Sequence, residues 1–191
     1  MNTPAHLLLG AAVMGRRGRP GLVWAALAGA LLPDVSLYLM GGISLFVLGI
    51  APERVFGELY FSDAWQAVFA VDNSVFVWGG LLGLAVWRKS GWAVALTGAA
   101  LLHLALDFPL HHDDGRAHFW PLTRWVFESP LSYWDMRQGA AVVGPVELAL
   151  ALAAAGLVIW RRPGWAVVAV VVLLVGLELL AVSSWFFHVM T

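Results

Sequence analysis

Cysteine is absent from this chain of 191 residues, and charged residues are scarce. Without cysteine the protein has no disulfide framework and no thiolate ligand, so a metal ion would be held by imidazole and carboxylate groups. Charged residues make up 12% of the sequence, against roughly 25% in an average soluble domain. The net charge of -1 argues against a nucleic-acid partner, and we expect no such partner.

Apolar side chains dominate the rest of the chain. Hydrophobic residues make up 61% of it, and the mean hydropathy is +0.80. This composition is typical of an integral membrane protein. The chain has room for one bundle of about five to seven membrane helices with short loops, but not for a separate soluble domain. We therefore predict an all-α fold, a polytopic membrane helix bundle that forms a single domain over residues 1–191.

Short or broken helices are expected near the N-terminus. Thr3 and Pro4 favour a helix start, but a helix ending near Gly15 is too short to span a bilayer comfortably. Proline disfavours helix in the residue before it, so Pro33 predicts a broken or bent helix in the apolar run 21–50. The other candidate membrane segments are 74–87, 91–108, 139–160 and 164–187.

Basic residues gather in the short runs 16–19, 88–89 and 161–162, each between two apolar stretches. Cytoplasmic turns of membrane proteins have this pattern. If all these runs face the cytoplasm, the loops at about 51–73 and 109–138 face outward. The second loop is rich in aromatic residues, which is typical of a membrane interface.

Several acidic and imidazole side chains lie at nearly one depth, measured along the helices from the nearest basic run. At about 1.5 Å per helical residue, His6 lies roughly 15 Å above the basic runs and the others lie roughly 20 to 25 Å above them. Each ionisable group at bilayer depth costs about 2.5–3.5 kcal/mol on insertion scales, so structural ion pairs poorly explain so many. The pattern predicts a polar layer inside the membrane. Its members are His6, Asp34, Asp72, His103, Asp107, Glu147 and Glu178.

Each of these residues also has a purely structural interpretation. His103 and Asp107 share one helix face at i and i+4, where they could bind a cation or simply hydrogen-bond each other. His6 could be interfacial, and Asp34 could cap the helix after Pro33. Asp72 could cap the next helix or act as a ligand or base. The two glutamates could be protonated, hydrogen-bonded acids.

A second polar cluster follows directly, at His111, His112, Asp113 and Asp114 with Arg116 and His118. It could be a solvated loop that binds lipid headgroups or adventitious metal. Alternatively it is a lid over the site, in which His112 or His118 completes a coordination shell and Arg116 holds an anionic substrate group.

The order of three short motifs is similar to that of a known family. They are Thr3-Pro4-Ala5-His6, Gly29-Ala30-Leu31-Leu32-Pro33-Asp34, and His103-Leu104-Ala105-Leu106-Asp107 with Gly115 and Phe119-Trp120-Pro121-Leu122 downstream. Over residues 3–125 the chain resembles the YdjM-like inner-membrane metal-dependent hydrolases. That family usually has a histidine-rich stretch where this chain has Val71-Asp72-Asn73-Ser74. The resemblance implies a metal site in a multi-pass protein of the bacterial inner (cytoplasmic) membrane.

Our first hypothesis is a membrane-embedded metal-dependent hydrolase that acts on a lipid or lipid-linked substrate through a metal-bound water. Asp72 is the candidate base or extra ligand, Arg116 recognises an anion, and His112 and His118 belong to a lid that supplies a proton. The divalent ion is Zn²⁺ or a similar metal. The predicted ligands are His6, Asp34, His103 and Asp107.

Two other classes of function remain open. The protein could be a non-catalytic accessory subunit that retains a degenerate metal site and joins a larger membrane protein complex through its aromatic outer loop. Alternatively, Asp34, Glu147 and Glu178 could relay protons or cations in a transporter. The chain lacks an obvious repeated half, which disfavours the transporter.

Overall fold

The computed structural model describes the backbone of residues 1–189 and the side chains of residues 1–183. Helices make up 72% of the chain, and residues 1–189 contain no strand, so the predicted all-α fold is confirmed. The longer helices are α1 (Thr3–Met14), α2 (Pro20–Gly42), α4 (Asp63–Asp72), α5 (Val75–Trp87), α6 (Gly91–Asp107), α7 (Ala140–Trp160) and α8 (Trp165–Val189), and α3 is the single turn Pro52–Arg54.

Four helical stretches within the described part are long and apolar enough to cross a membrane. They are Pro20–Val47, Asp63–Trp87, Ala140–Trp160 and Trp165–Ser183. Two further apolar helices, α1 and α6, are shorter, with 12 and 17 residues. These lengths support a helical membrane protein, with α1 and α6 lying among the longer helices.

The expected interruption at Pro33 is not a break, because α2 is a continuous helix from Pro20 to Gly42 with Pro33 inside it. Packing of α2 along both α1 and α6 holds the helix where the proline removes one backbone hydrogen bond. The irregular stretch comes later, as a π-helical turn at Ile43–Val47.

The first predicted outer loop, residues 51–73, is largely helical. It contains α3, a π-helical turn at Val55–Leu59, and α4, whose N-cap Ser62 accepts a hydrogen bond from the Trp65 amide. Only Asn73 and Ser74 separate α4 from α5. The second loop, 109–138, packs against this segment. There the Val75 amide donates to the His118 carbonyl at 2.9 Å, and Tyr60 Oη donates to the Asp114 carbonyl at 3.1 Å.

Ser74 rather than Asp72 caps α5, so the predicted cap was misplaced by two residues. Ser74 Oγ accepts hydrogen bonds from the amides of Phe76 and Val77, at 3.2 Å each. Asp72 is the last residue of α4, and its carbonyl accepts from the Trp78 indole. The sequence offered two capping residues close together, and only contacts distant in sequence decide between them.

We expect Ser74→Ala to lower the free energy of unfolding by about 0.5–2 kcal/mol, because two amides at the start of α5 lose their acceptor. Asp72→Ala is the matched control and should lower it by less. Thermal unfolding of both variants in detergent, followed by circular dichroism, makes the comparison. Equal destabilisation by the two substitutions would contradict the cap assignment.

α1 lies enclosed by α2, α6, α7 and α8. The side chains of Ala5, Leu8 and Ala11 are fully buried. At its C-terminal end, Arg161 of α7 donates to the carbonyls of Ala12 and Gly15, at 2.7 and 2.8 Å. The last carbonyls of a helix have no donor within the helix. Arg161 supplies donors to two of them and so completes the end of α1.

Candidate metal centre

Asp107, the last residue of α6, lies at the centre of a buried polar cluster and is 6% exposed. Its Oδ1 lies 2.7 Å from His6 Nε2 and 2.7 Å from the amino group of Met1. Its Oδ2 lies 3.1 Å from His103 Nε2 and 3.4 Å from His111 Nε2. One carboxylate therefore faces three imidazoles from two sides.

Three helices bring these groups together. α6 presents His103 and Asp107 one turn apart, and α1 contributes His6, which is 1% exposed. α2 contributes Asp34, whose Oδ1 lies 3.6 Å from His103 Nε2. The four residues predicted as metal ligands thus occupy one place in the fold. That they bind a metal stays a prediction.

The hydrogen bonding of His103 leaves its second nitrogen in an unusual position. Its Nδ1 lies 2.7 Å from the carbonyl oxygen of Ala30, which only accepts, so Nδ1 carries a proton. In a neutral imidazole Nε2 then bears a lone pair, yet it faces carboxylate oxygens of Asp107 and Asp34 and makes no hydrogen bond. Either the ring is an imidazolium or a cation belongs between these atoms.

His6 adds a second imidazole to this arrangement. Its ring stacks on that of His103 with centroids 3.7 Å apart and an interplanar angle of 15°. His6, His103 and Asp107 each offer a donor atom, and these atoms lie within 4.8 Å of one another. Two imidazole nitrogens with carboxylate oxygens suit Zn²⁺ and similar divalent ions.

His111 extends the cluster toward the loop, whereas the sequence suggested His112 or His118 of the same polar cluster for this position. Its Nδ1 lies 2.9 Å from Asp114 Oδ1, while Trp134 Nε1 donates to Asp114 Oδ2 at 3.2 Å. Burial lowers the pKa of His111, but the carboxylates of Asp107 and Asp114 outweigh burial and raise this pKa to about 9. The spacing could have revealed this residue, because His103, Asp107 and His111 follow one another at intervals of four.

The other predicted catalytic residues lie elsewhere. His112 Nδ1 donates to the Ser129 carbonyl at 2.7 Å, and His118 Nδ1 donates to the Arg116 carbonyl at 2.9 Å, so both hold the loop together. Burial lowers the pKa of His118 to about 4, which leaves this imidazole neutral at pH 7 and a poor proton donor. Asn73, not Asp72, lines the cavity beside the cluster. We assign Asp72, His112 and His118 no part in the chemistry proposed below.

An open-sided cavity of about 650 Å³ borders the cluster. Asp34, Asp107, His111 and Asp114 form its polar wall. Arg116 also lines it, as expected for a residue that recognises an anion. The cavity is large enough for a small ligand and gives that ligand access to the polar cluster.

Glu147 and Glu178 lie near the start of α1, not against the three imidazoles. Glu147 Oε1 accepts from the Asn2 amide at 2.5 Å, and Glu178 Oε1 accepts from Asn2 Nδ2 at 3.4 Å. Both glutamates are almost completely buried. Their Oε1 atoms accept from polar groups at the beginning of α1, while the Oε2 atoms are buried without a hydrogen-bond partner. That the two glutamates are protonated stays a prediction.

Comparisons of the chain with models of known families, with curated proteins and with solved structures find no match.

Proposed function

We propose that this chain is a membrane-embedded metal-dependent hydrolase acting on a lipid or lipid-linked substrate. The observation that carries the proposal is the arrangement around His103. Its Nδ1 donates a hydrogen bond to the Ala30 carbonyl, while its Nε2 faces two carboxylate oxygens without a hydrogen bond. The resemblance to the YdjM-like family adds the expectation of a bacterial inner membrane.

The residues that would hold the ion are His6, Asp34, His103 and Asp107. A divalent ion held by such ligands polarises a substrate oxygen and lowers the pKa of water toward neutrality. The Ala30 carbonyl orients His103, and Thr3 Oγ1 donates to Asp34 Oδ2 at 2.6 Å. These contacts fix the directions in which His103 and Asp34 point, which is the usual task of residues behind a metal site.

A lipid fits the surroundings of the cluster better than a water-soluble substrate. The cavity lining also includes Leu37, Tyr38, Phe56 and Phe61. Tyr38, Phe56 and Phe61 are also 49–55% exposed on the outer surface of the bundle. Because the wall continues into an outward-facing apolar surface, a substrate can enter from the bilayer and keep its acyl chains among apolar side chains.

Hydrolysis of lipid esters and phosphoesters by the purified chain tests the proposal. We expect release of fatty acid or headgroup from mixed micelles to stop after chelation and to return with added Zn²⁺. His103→Gln should abolish this activity, whereas His112→Gln, which changes a loop histidine, should retain it.

Chelator-resistant hydrolysis, or full activity in His103→Gln, would contradict the metal-dependent mechanism. Stoichiometric metal without hydrolysis of any lipid class would favour the accessory-subunit alternative. That alternative draws support from the outer loop, where Leu122 and Trp125 are 75% and 54% exposed. If the protein is an accessory subunit, we expect Trp125→Ala to release a copurifying membrane complex.

A further inference from the structure

Arg116 is a buried cation without a direct ion pair among the described side chains. The side chain is only 7% exposed, and its Nη1 has no hydrogen-bond partner. Within residues 1–183, no ion pair joins it to an acidic group. The guanidinium carbon lies 4.6 Å from the ring centroid of Tyr60 and 4.1 Å from that of Phe69. Cation–π contacts therefore hold the charge in place without cancelling it.

The nearby carboxylate, Asp114, already interacts with other side chains. Its Oδ1 faces His111 Nδ1 at 2.9 Å, and its Oδ2 accepts from the Trp134 indole at 3.2 Å. Burial raises the pKa of Asp114, but His111, the Trp134 indole and the charge of Arg116 outweigh burial and hold that pKa below its usual range. The oxygens of Asp114 thus face His111 and Trp134, and Asp114 acts on Arg116 without a direct ion pair. Since an unpaired buried charge is costly, Arg116 is suited to an anion supplied from outside the chain.

The same cavity has an apolar side that continues onto the outside of the bundle. Arg116 and the aromatic residues Tyr38, Phe56 and Phe61 all line it. Phe46 and Val47 follow Tyr38 at the end of the first membrane-spanning stretch, and they are 86% and 75% exposed. An apolar surface of this kind is in contact with lipid when the span crosses a membrane. A ligand can therefore place a charged head at Arg116 and a chain along this surface.

We propose that Arg116 binds the phosphate group of an anionic lipid, whose acyl chains leave the cavity between Tyr38 and the Phe56–Phe61 segment. A guanidinium suits this role because its planar N–H groups match phosphate oxygens. This inference rests on the proposed function for the chemistry that follows binding, and it narrows the substrate class to lipids with a phosphate. Binding itself requires no metal.

A non-hydrolysable probe separates binding from turnover. The probe is a di-O-hexyl glycerol phosphonate, with di-O-hexylglycerol as its neutral counterpart and methylphosphonate as its chain-free counterpart. Binding of each to the full chain in detergent is measured by titration calorimetry. We expect Arg116→Gln to weaken binding of the lipid phosphonate by about 10- to 100-fold, the range expected for a lost charged hydrogen bond. Binding of the neutral diether should not change.

Two further variants complete the test. Arg124→Gln removes an exposed arginine of the same loop and should leave binding unchanged. Arg116→Lys keeps the charge but loses the planar guanidinium, so its affinity should fall between those of the parent and Arg116→Gln. Arg116→Lys also provides the test of binding if Arg116→Gln fails to fold.

Three results would overturn the proposal. They are equal affinity for the lipid phosphonate in the parent and both Arg116 variants, an equal loss in Arg124→Gln, and methylphosphonate binding as tightly as the lipid. The last result would indicate a site for free phosphate. His103→Gln should lose hydrolysis and keep this binding, so failure of the hydrolase proposal and failure of the lipid-binding proposal give different outcomes.

Discussion

Asp107→Asn is expected to reduce the bound divalent metal from about one ion per chain to a small fraction of that. The substitution preserves the size of the side chain but removes the negative charge that faces His6, His103 and His111. Loss of a residue that merely supports a ligand typically costs 10–100-fold in metal affinity, and loss of a ligand itself should cost at least about as much. Hydrolysis of lipid substrates should fall with the metal.

Elemental analysis of gently purified protein provides the measurement, and His103→Gln should reproduce the loss. The matched control is His118→Gln, which removes a buried imidazole of similar size whose Nδ1 donates to a loop carbonyl. Circular dichroism and gel filtration verify that each variant folds. Full metal occupancy in Asp107→Asn would show that α6 is not part of a metal site.

Gly29→Ala should be the most damaging small substitution in the bundle. A Cβ at this position would overlap the carbonyl oxygen of Leu96, and the obstacle is backbone of α6, which cannot swing aside. Forcing α2 away from α6 should lower the free energy of unfolding by about 1–3 kcal/mol or more. The next residue is Ala30, whose carbonyl holds His103, so metal content should fall as well.

Gly41→Ala is the natural control for this experiment because it lies in the same helix with no heavy atom within 4 Å of the new Cβ. Replacing glycine by alanine inside a helix is favourable by about 1 kcal/mol when there is space, so this variant should be at least as stable as the parent. Thermal unfolding in detergent and metal analysis of both variants give the comparison. A harmless Gly29→Ala would mean that α2 and α6 do not approach so closely.

The fold class and the grouping of the four predicted ligands could be foreseen from simple regularities. High apolar content indicated a helical membrane bundle, and the common depth of His6, Asp34, His103 and Asp107 placed them in one layer. The depth of a residue along its helix can be calculated from the sequence, because a helix has a constant rise per residue. Residues at equal depth on neighbouring helices are therefore good candidates for contact.

What the sequence did not reveal depends on contacts between distant residues. Asp72 shares the predicted depth, yet α4 ends there and Asn73 lines the cavity instead. His112 and His118 stand beside the cluster in sequence, but loop carbonyls take their ring nitrogens. In a loop, unlike a helix, no fixed spacing determines which of several neighbouring side chains turns toward a site. His111 was recognisable only as a continuation of the α6 spacing.

The anchoring of α1 also has a consequence for biogenesis. α1 is synthesised before α7 and α8, but its two ends are satisfied by Glu147 of α7, by Arg161 directly after α7, and by Glu178 of α8. A nascent chain with only α1 to α6 inserted therefore lacks the partners that hold His6 in place beside Asp107. We therefore expect the polar cluster around Asp107 to assemble only after α7 and α8 have been synthesised and packed against α1.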